Sequence, residues 1–263
     1  MQATTWQIKD NVRARLIAAK LETGFYAAIQ FELQPGWHTY WRYPGASGMV
    51  PEFDFAQSTN IEVAAVEFPA PFFFDDGVGG FYGYEQATGF LMPLHIPNPE
   101  NPALLKADIL VGICREICVP IGFDFQLPLN KNTLSAPPNP ILRDIIATLL
   151  AARPTAPSPA LRAARLSFDG VRLQLVVTGK NLKQPRVMLV AGAHDVIGTP
   201  RIIAGDNDAF LFDIPAWSRL DHPLIGRKVT LVLRDGNRAI EQQIEVTDHL
   251  LVQDTKKGKQ NDN

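Results

Sequence analysis

Val111-Gly112-Ile113-Cys114-Arg115-Glu116-Ile117-Cys118-Val119-Pro120, running on into Gly122-Phe123-Asp124-Phe125-Gln126-Leu127-Pro128-Leu129, decides how this chain folds. Gly122–Leu129 alternates apolar and polar residues over its first half, as a half-buried strand does. Lys106 to Ile113 reads as another strand. Between them stand the only two cysteines of the chain, four positions apart. On a straight strand, residues i and i+4 lie roughly 13 Å apart, whereas a disulfide needs Cα atoms about 4.4–6.8 Å apart. If the pair oxidises, the chain must reverse in a three-residue hairpin loop or coil through one turn of helix.

A disulfide closing so short a loop gives the low end of the loop-closure stabilisation. Arg115, Glu116 and Ile117 include no Gly or Asn to take a left-handed position cheaply. A structural staple therefore explains the spacing poorly, and a reactive pair explains it better. Exchange chemistry needs a thiolate, an accessible sulfur and a second thiol to resolve the mixed disulfide. Cys114 and Cys118 supply attacker and resolver. Arg115 favours a thiolate and Glu116 opposes it.

Outward from this segment, the first half is β-rich. Val12–Ala19 and Phe25–Leu33 are apolar runs with partial alternation, and Ile61–Val66, Thr88–Ile96 and Lys106–Ile113 are further strand candidates. Frequent Pro and Gly between runs suit the turns of a β-sandwich. A breaker cluster, Ser135–Pro140, follows, in which Asn139 caps a helix with Pro140 at its first position. Apolar residues at 141, 142, 145, 146, 149 and 150 make a helical stripe, and Pro154, Pro157 and Pro159 read as a linker. A second β region contains Val171–Val177, Arg186–Val190, Phe210–Ile214, Lys228–Leu233 and Ile240–Val246, the last two joined by a turn at Arg234–Arg238.

The expected fold is all-β: two immunoglobulin-like β-sandwich domains joined by a short helical, Pro-rich linker. The divisions are 1–134 for the cysteine-bearing domain, 135–160 for helix and linker, 161–250 for the second sandwich, and 251–263 for a polar tail expected to be disordered. At 263 residues, with 46% hydrophobic and 20% charged residues, the chain has the composition of folded protein. A net charge of −2 argues against nucleic acid as a partner. No stretch is apolar enough to span a bilayer as a helix. The start, Met1–Trp6, lacks a basic n-region followed by an apolar run, which fits either a cytosolic protein or a mature exported one.

Three segments in this order resemble the N-terminal periplasmic domain of DsbD-type thiol:disulfide interchange proteins, and most nearly their ScsB branch. They are Gly36-Trp37-His38-Thr39-Tyr40-Trp41-Arg42-Tyr43-Pro44-Gly45-Ala46-Ser47-Gly48; Phe68-Pro69-Ala70-Pro71 with Phe81-Tyr82-Gly83-Tyr84; and Cys114-Arg115-Glu116-Ile117-Cys118-Val119-Pro120. The resemblance covers roughly residues 6–130, and the later β region fits ScsB-like proteins more loosely. It implies an immunoglobulin-like redox domain in the periplasm, a thiol:disulfide oxidoreductase of the protein-disulfide reductase type without cofactor or metal. Such a domain receives electrons from a membrane-embedded donor through a thioredoxin-like domain and passes them to thioredoxin-fold periplasmic proteins. By family position Cys118 forms the mixed disulfide and Cys114 resolves it. Phe81, Tyr82 and Gly83 correspond to a cap loop shielding the cysteines, while Trp37, His38, Tyr40, Trp41, Arg115 and Glu116 are candidates to line the site. The ScsB branch adds a setting of copper tolerance. DsbD itself separates its cysteines by more residues, and the family usually continues into membrane helices where this chain has a polar tail, so the expectation is a stand-alone relative or an excised domain.

Two other functions compete. The thiolates are soft ligands for Cu(I), with His38 or a methionine as a further donor. Alternatively the chain is a non-catalytic β-sandwich adaptor whose cysteines form a structural disulfide. A Cys–His hydrolase has no supporting local signature.

Overall fold

A computed structural model describes residues 2–45, 48–74, 80–137, 139–192, 195–218 and 223–248. The expected tail at 251–263 lies outside them. The chain divides into two compact units, Met1–Arg153 and Pro154–Asn263.

The first unit contains β1 (Gln7–Lys9), β2 (Val12–Leu21), β3 (Gly24–Leu33), β4 (His38–Gly45), β5 (Glu52–Asp54), β6 (Glu62–Val63), β7 (Phe72–Phe74), β8 (Phe81–Glu85), β9 (Ala87–His95), β10 (Ala103–Cys114) and β11 (Cys118–Leu129). Two helices follow, α1 (Lys131–Ser135) and α2 (Pro140–Ala151). The strands form two sheets, ordered β1-β2-β3-β9-β6 and β11-β10-β4-β8-β7, with β5 also paired to β10. Aromatic rings join the sheets. Phe31 of β3 meets Phe123 of β11 at 6.0 Å between centroids, and Phe90 of β9 meets Phe53 of β5 at 5.8 Å.

The long hairpin β10–β11 carries the site. Its register is unbroken from Ala103 opposite Leu129 to Cys114 opposite Cys118. In β11 the alternation continues along the whole run, burying Ile121, Phe123, Phe125, Leu127 and Leu129 and leaving the residues between them exposed. Pro120 and Pro128 are accommodated because β11 is the edge of its sheet, where a missing N–H costs no ladder bond.

Partial alternation in β2 and β3 has a simple cause. Helix α2 covers the outer face of their sheet, so Leu16, Ile17, Ala18 and Ala19 are all buried. Asn139 caps α2 by accepting from the N–H groups of Ile141 and Leu142, with Pro140 in the first turn. The apolar stripe faces the sheet through Leu142, Ile145, Ile146, Leu149 and Leu150, packing on Ile17, Ala19, Ala28 and Leu91. Ile141, the first residue of the expected stripe, is exposed instead. The helix end is tied down by an ion pair between Arg153 and Glu67 and by the Ala70 N–H donating to Ala152 O.

The second unit contains β12 (Leu161–Phe168), β13 (Arg172–Gly179), β14 (Arg186–Val190), β15 (Val196–Ile197), β16 (Arg201–Gly205), β17 (Ala209–Trp217), β18 (Lys228–Asp235) and β19 (Arg238–Asp248). They follow the order β14-β18-β19-β12-β13-β17-β15, with β16 also on β17, and β12 runs parallel to β19. This path encloses one core, in which Val187, Leu231 and Ile240 join Leu166, Leu175 and Phe212. The β18–β19 turn places Gly236 at φ 61°, a left-handed conformation glycine adopts without penalty. Asp235 is buried there, ion-paired to Arg238 and accepting from the N–H groups of Lys183 and Gln184. Both units are thus β-sandwiches, as the all-β expectation held.

Candidate functional site

Of the two ways to bring the cysteines together, the chain uses the hairpin. Cys114 and Cys118 are disulfide-bonded across the last register pair, Cα to Cα 4.2 Å. Arg115, Glu116 and Ile117 form the exposed loop, with the Arg115 N–H donating to Ile117 O at 3.4 Å. The Arg115 side chain passes beside Gly36, whose absent Cβ would stand 3.8 Å from Arg115 Nε. Glu116 is exposed.

The two sulfur-bearing residues differ sharply in access. Cys114 is 1% exposed, whereas Cys118 is an exposed residue. The covering side chains come from β4 and β8. His38 stands opposite Cys114 in the β4–β10 register and opposite Glu85 in β8. Tyr40, two residues further, is buried beside Cys114 and Phe81, with Met49 and Phe74 packed against the cluster. Phe81 stacks on His38 at 4.1 Å and on Phe74 at 4.9 Å, and stands edge-on to Tyr40 at 5.4 Å. Tyr40 Oη lies 2.9 Å from Cys118 Sγ. Burial holds the His38 imidazole below its ordinary pKa, which keeps it neutral.

Strand alternation sorts the remaining aromatics. Trp37 is half-buried and lines a shallow depression of about 340 Å³ with Asp10, Asn11, Ile113, Val119 and Ile121. Trp41 is fully buried and packs edge-on to Tyr43 and Tyr82. Tyr82 lies between Trp41 and Phe73, and burial pushes its phenol up to about 12. The expected cap loop Phe81-Tyr82-Gly83 is therefore strand, the start of β8. Only Phe81 of the three belongs to the aromatic cluster at the cysteines. Gly83 serves the pairing with β4, since a Cβ there would stand 2.2 Å from Thr39 O. Ala46 and Ser47 of the Trp37–Gly48 segment lie outside the described residues.

Met49 and Phe74 complete the cluster without a sequence signal of their own. Gly112 gives a faint one, because an isolated Gly in a strand marks close approach of another group. A Cβ on Gly112 would stand 3.0 Å from Met49 Cβ and 3.1 Å from the Tyr40 ring. The Thr39 hydroxyl donates to Gly112 O at 3.0 Å, fixing β4 against β10. Among the described residues no group of three or more His, Cys, Asp or Glu is placed to hold a metal ion.

Fold and site together define a β-sandwich with a disulfide at a hairpin tip, one cysteine buried among aromatics and the other an exposed residue. Residues 9–129 match the family model described as thiol:disulfide interchange protein DsbD, N-terminal. Residues 154–249 match a domain of unknown function. Among solved structures, the chain is similar to the N-terminal periplasmic domain of ScsB from Proteus mirabilis. The match has a TM-score of 0.75 at 21% identity, covering 94% of this chain and 99% of that one. It extends the likeness in fold over both units. No curated protein matches the chain.

Proposed function

We propose that the chain is a periplasmic thiol:disulfide exchange module that passes reducing equivalents to thioredoxin-fold partner proteins through Cys114 and Cys118. The observation that carries this is the unequal exposure of the two cysteines: Cys118 is an exposed residue at the hairpin tip, and Cys114, bonded to it, is 1% exposed. An exchange pair needs one sulfur for the mixed disulfide and a second within bonding reach to release it. A structural staple has no need of either asymmetry or exposure. In this assignment Cys118 forms the mixed disulfide and Cys114 resolves it, while Phe81 covers Cys114.

The match to the DsbD N-terminal family supports both the chemistry and the periplasmic setting. Electrons reach the module from a membrane-embedded donor by way of a thioredoxin-like domain. Among the described residues no helix is long and apolar enough to cross a membrane.

Equilibration of the native protein with defined thiol–disulfide buffers tests the proposal. A reduction potential between about −270 and −120 mV, the range of thioredoxin-fold exchange proteins, is expected. A disulfide that stays closed in the folded protein under excess strong dithiol would overturn it.

A further inference from the structure

The tyrosine at the base of the hairpin tip does more than pack. Tyr40 is 3% exposed, and its hydroxyl is aimed at Cys118 Sγ from 2.9 Å. A disulfide sulfur carries no hydrogen, so in this contact the phenol donates and the sulfur accepts. The ring is held from several sides. Phe81 and His38 stand edge-on to it, at 5.4 Å each. Two glycines leave it room: a Cβ on Gly48 would come within 2.8 Å of the ring, and one on Gly112 within 3.1 Å. Two backbone positions without side chains and two flanking rings thus place one hydroxyl on the exposed sulfur.

We propose that the Tyr40 hydroxyl is the hydrogen-bond donor that stabilises the Cys118 thiolate during exchange. This deepens the exchange assignment made above and rests on it for its consequence in the reaction. A thiolate of a protein dithiol attacks Cys118 Sγ; the new partner–Cys118 bond forms, the Cys114–Cys118 bond breaks, and Cys114 leaves as a thiolate. The partner's second thiolate then attacks its own bonded sulfur. The partner disulfide closes and Cys118 leaves with the electron pair of the broken bond. The partner is oxidised by two electrons, the Cys114/Cys118 pair is reduced by two, and the two protons lost by the partner thiols are taken up by the new thiols. At the second departure the negative charge forms 2.9 Å from the Tyr40 hydroxyl. A donor in place lowers the leaving thiol's pKa and speeds its departure.

His38 is buried and neutral, Glu85 opposite it in β8 is exposed, and Arg115 and Glu116 sit in the exposed loop with opposite charges. Among the described residues, Tyr40 places a neutral donor against the sulfur itself.

The test is the pH dependence of Cys118 alkylation in the reduced full-length protein, with the modified cysteine identified by mass spectrometry. Tyr40→Phe keeps the ring and removes the hydroxyl. It is expected to raise the Cys118 midpoint by about one to two units. Tyr82→Phe, which removes a phenol hydroxyl from a ring packed on Trp41 and Phe73 and not on the cysteines, is expected to leave the midpoint where it is. An unchanged midpoint in a folded Tyr40→Phe protein overturns the proposal. If that variant does not fold, the wild-type protein decides: the Tyr40 Cζ resonance must shift as Cys118 titrates, and a resonance that stays put overturns the proposal equally. These readouts need no partner, so a failure here with exchange intact removes only the role of Tyr40, whereas a closed, irreducible disulfide removes the exchange assignment itself.

Discussion

His38 and Phe81 stack with ring centroids 4.1 Å apart and planes 18° from parallel, and the imidazole is drawn from the residue paired with Cys114 in the sheet. A neutral imidazole fits this apolar site; an imidazolium does not, because burial penalises its charge. With the folded pKa below the unfolded one, the unfolded chain binds the proton first. Stability is therefore full above the ordinary histidine pKa and falls as pH drops through about 6.5. Thermal melts of the wild type should lose more between pH 8 and pH 5 than those of His38→Phe. Equal losses would show that His38 does not contribute.

Phe81 covers Cys114 from β8. Phe81→Ala should speed reduction of the disulfide by a small dithiol several-fold at constant pH, since access to sulfur is one of the determinants of exchange rate. Stopped-flow reduction of the native protein measures this. A rate unchanged by the truncation would mean that the ring does not shield the pair.

Gly83 tests the backbone that holds the site. A Cβ there meets Thr39 O at 2.2 Å, and backbone cannot yield as a side-chain tip does. Gly83→Ala should destabilise the first unit by about 1–3 kcal/mol. Gly170, with open space where its Cβ would stand but φ at 104°, serves as a comparison whose cost is conformational alone. Denaturant unfolding distinguishes the two.

In the second unit, burial alone would raise the Asp235 carboxyl, but Arg238 and the N–H groups of Lys183 and Gln184 hold it below its usual range. A depressed carboxylate contributes stability that is present above the unfolded pKa of about 3.9 and lost as pH falls through the lower, folded value. Asp235→Ala should cost about 1–3 kcal/mol at neutral pH by orphaning the N–H groups of Lys183 and Gln184, while Arg238 keeps its bonds to the Ala160, Lys180 and Asn181 carbonyls. The deficit should shrink in acid. A deficit constant with pH would assign it to packing instead of charge.

How much of this was legible in the sequence depends on where each signal lives. The period-two pattern of β11 and the breaker-and-cap sequence before α2 act locally, so both elements stand where expected. The short strands β5 and β7 span three residues each and have no period to detect; their pairing partners alone define them. In the site, the period-two geometry of β4 puts His38 and Tyr40 on one face, and both rings stand against Phe81. It did not foretell that Tyr82 would turn away to Trp41, because a hairpin and a loop present consecutive aromatics differently. Nor does any local pattern distinguish Cys114 from Cys118. Their unequal exposure is set by β4 and β8, more than 25 residues upstream, and only the folded sheet brings those rings over one sulfur and not the other.

The central claim, that Cys118 engages a partner and Cys114 releases it, is tested most directly by trapping. Cys114→Ser leaves Cys118 able to form a mixed disulfide that nothing in the chain can resolve. Expressed in a periplasm and recovered under non-reducing conditions, this variant should carry a thioredoxin-fold protein bonded through Cys118, and Cys118→Ser should carry none. Trapped partners on the Cys118→Ser protein alone, or on neither variant, would contradict the account.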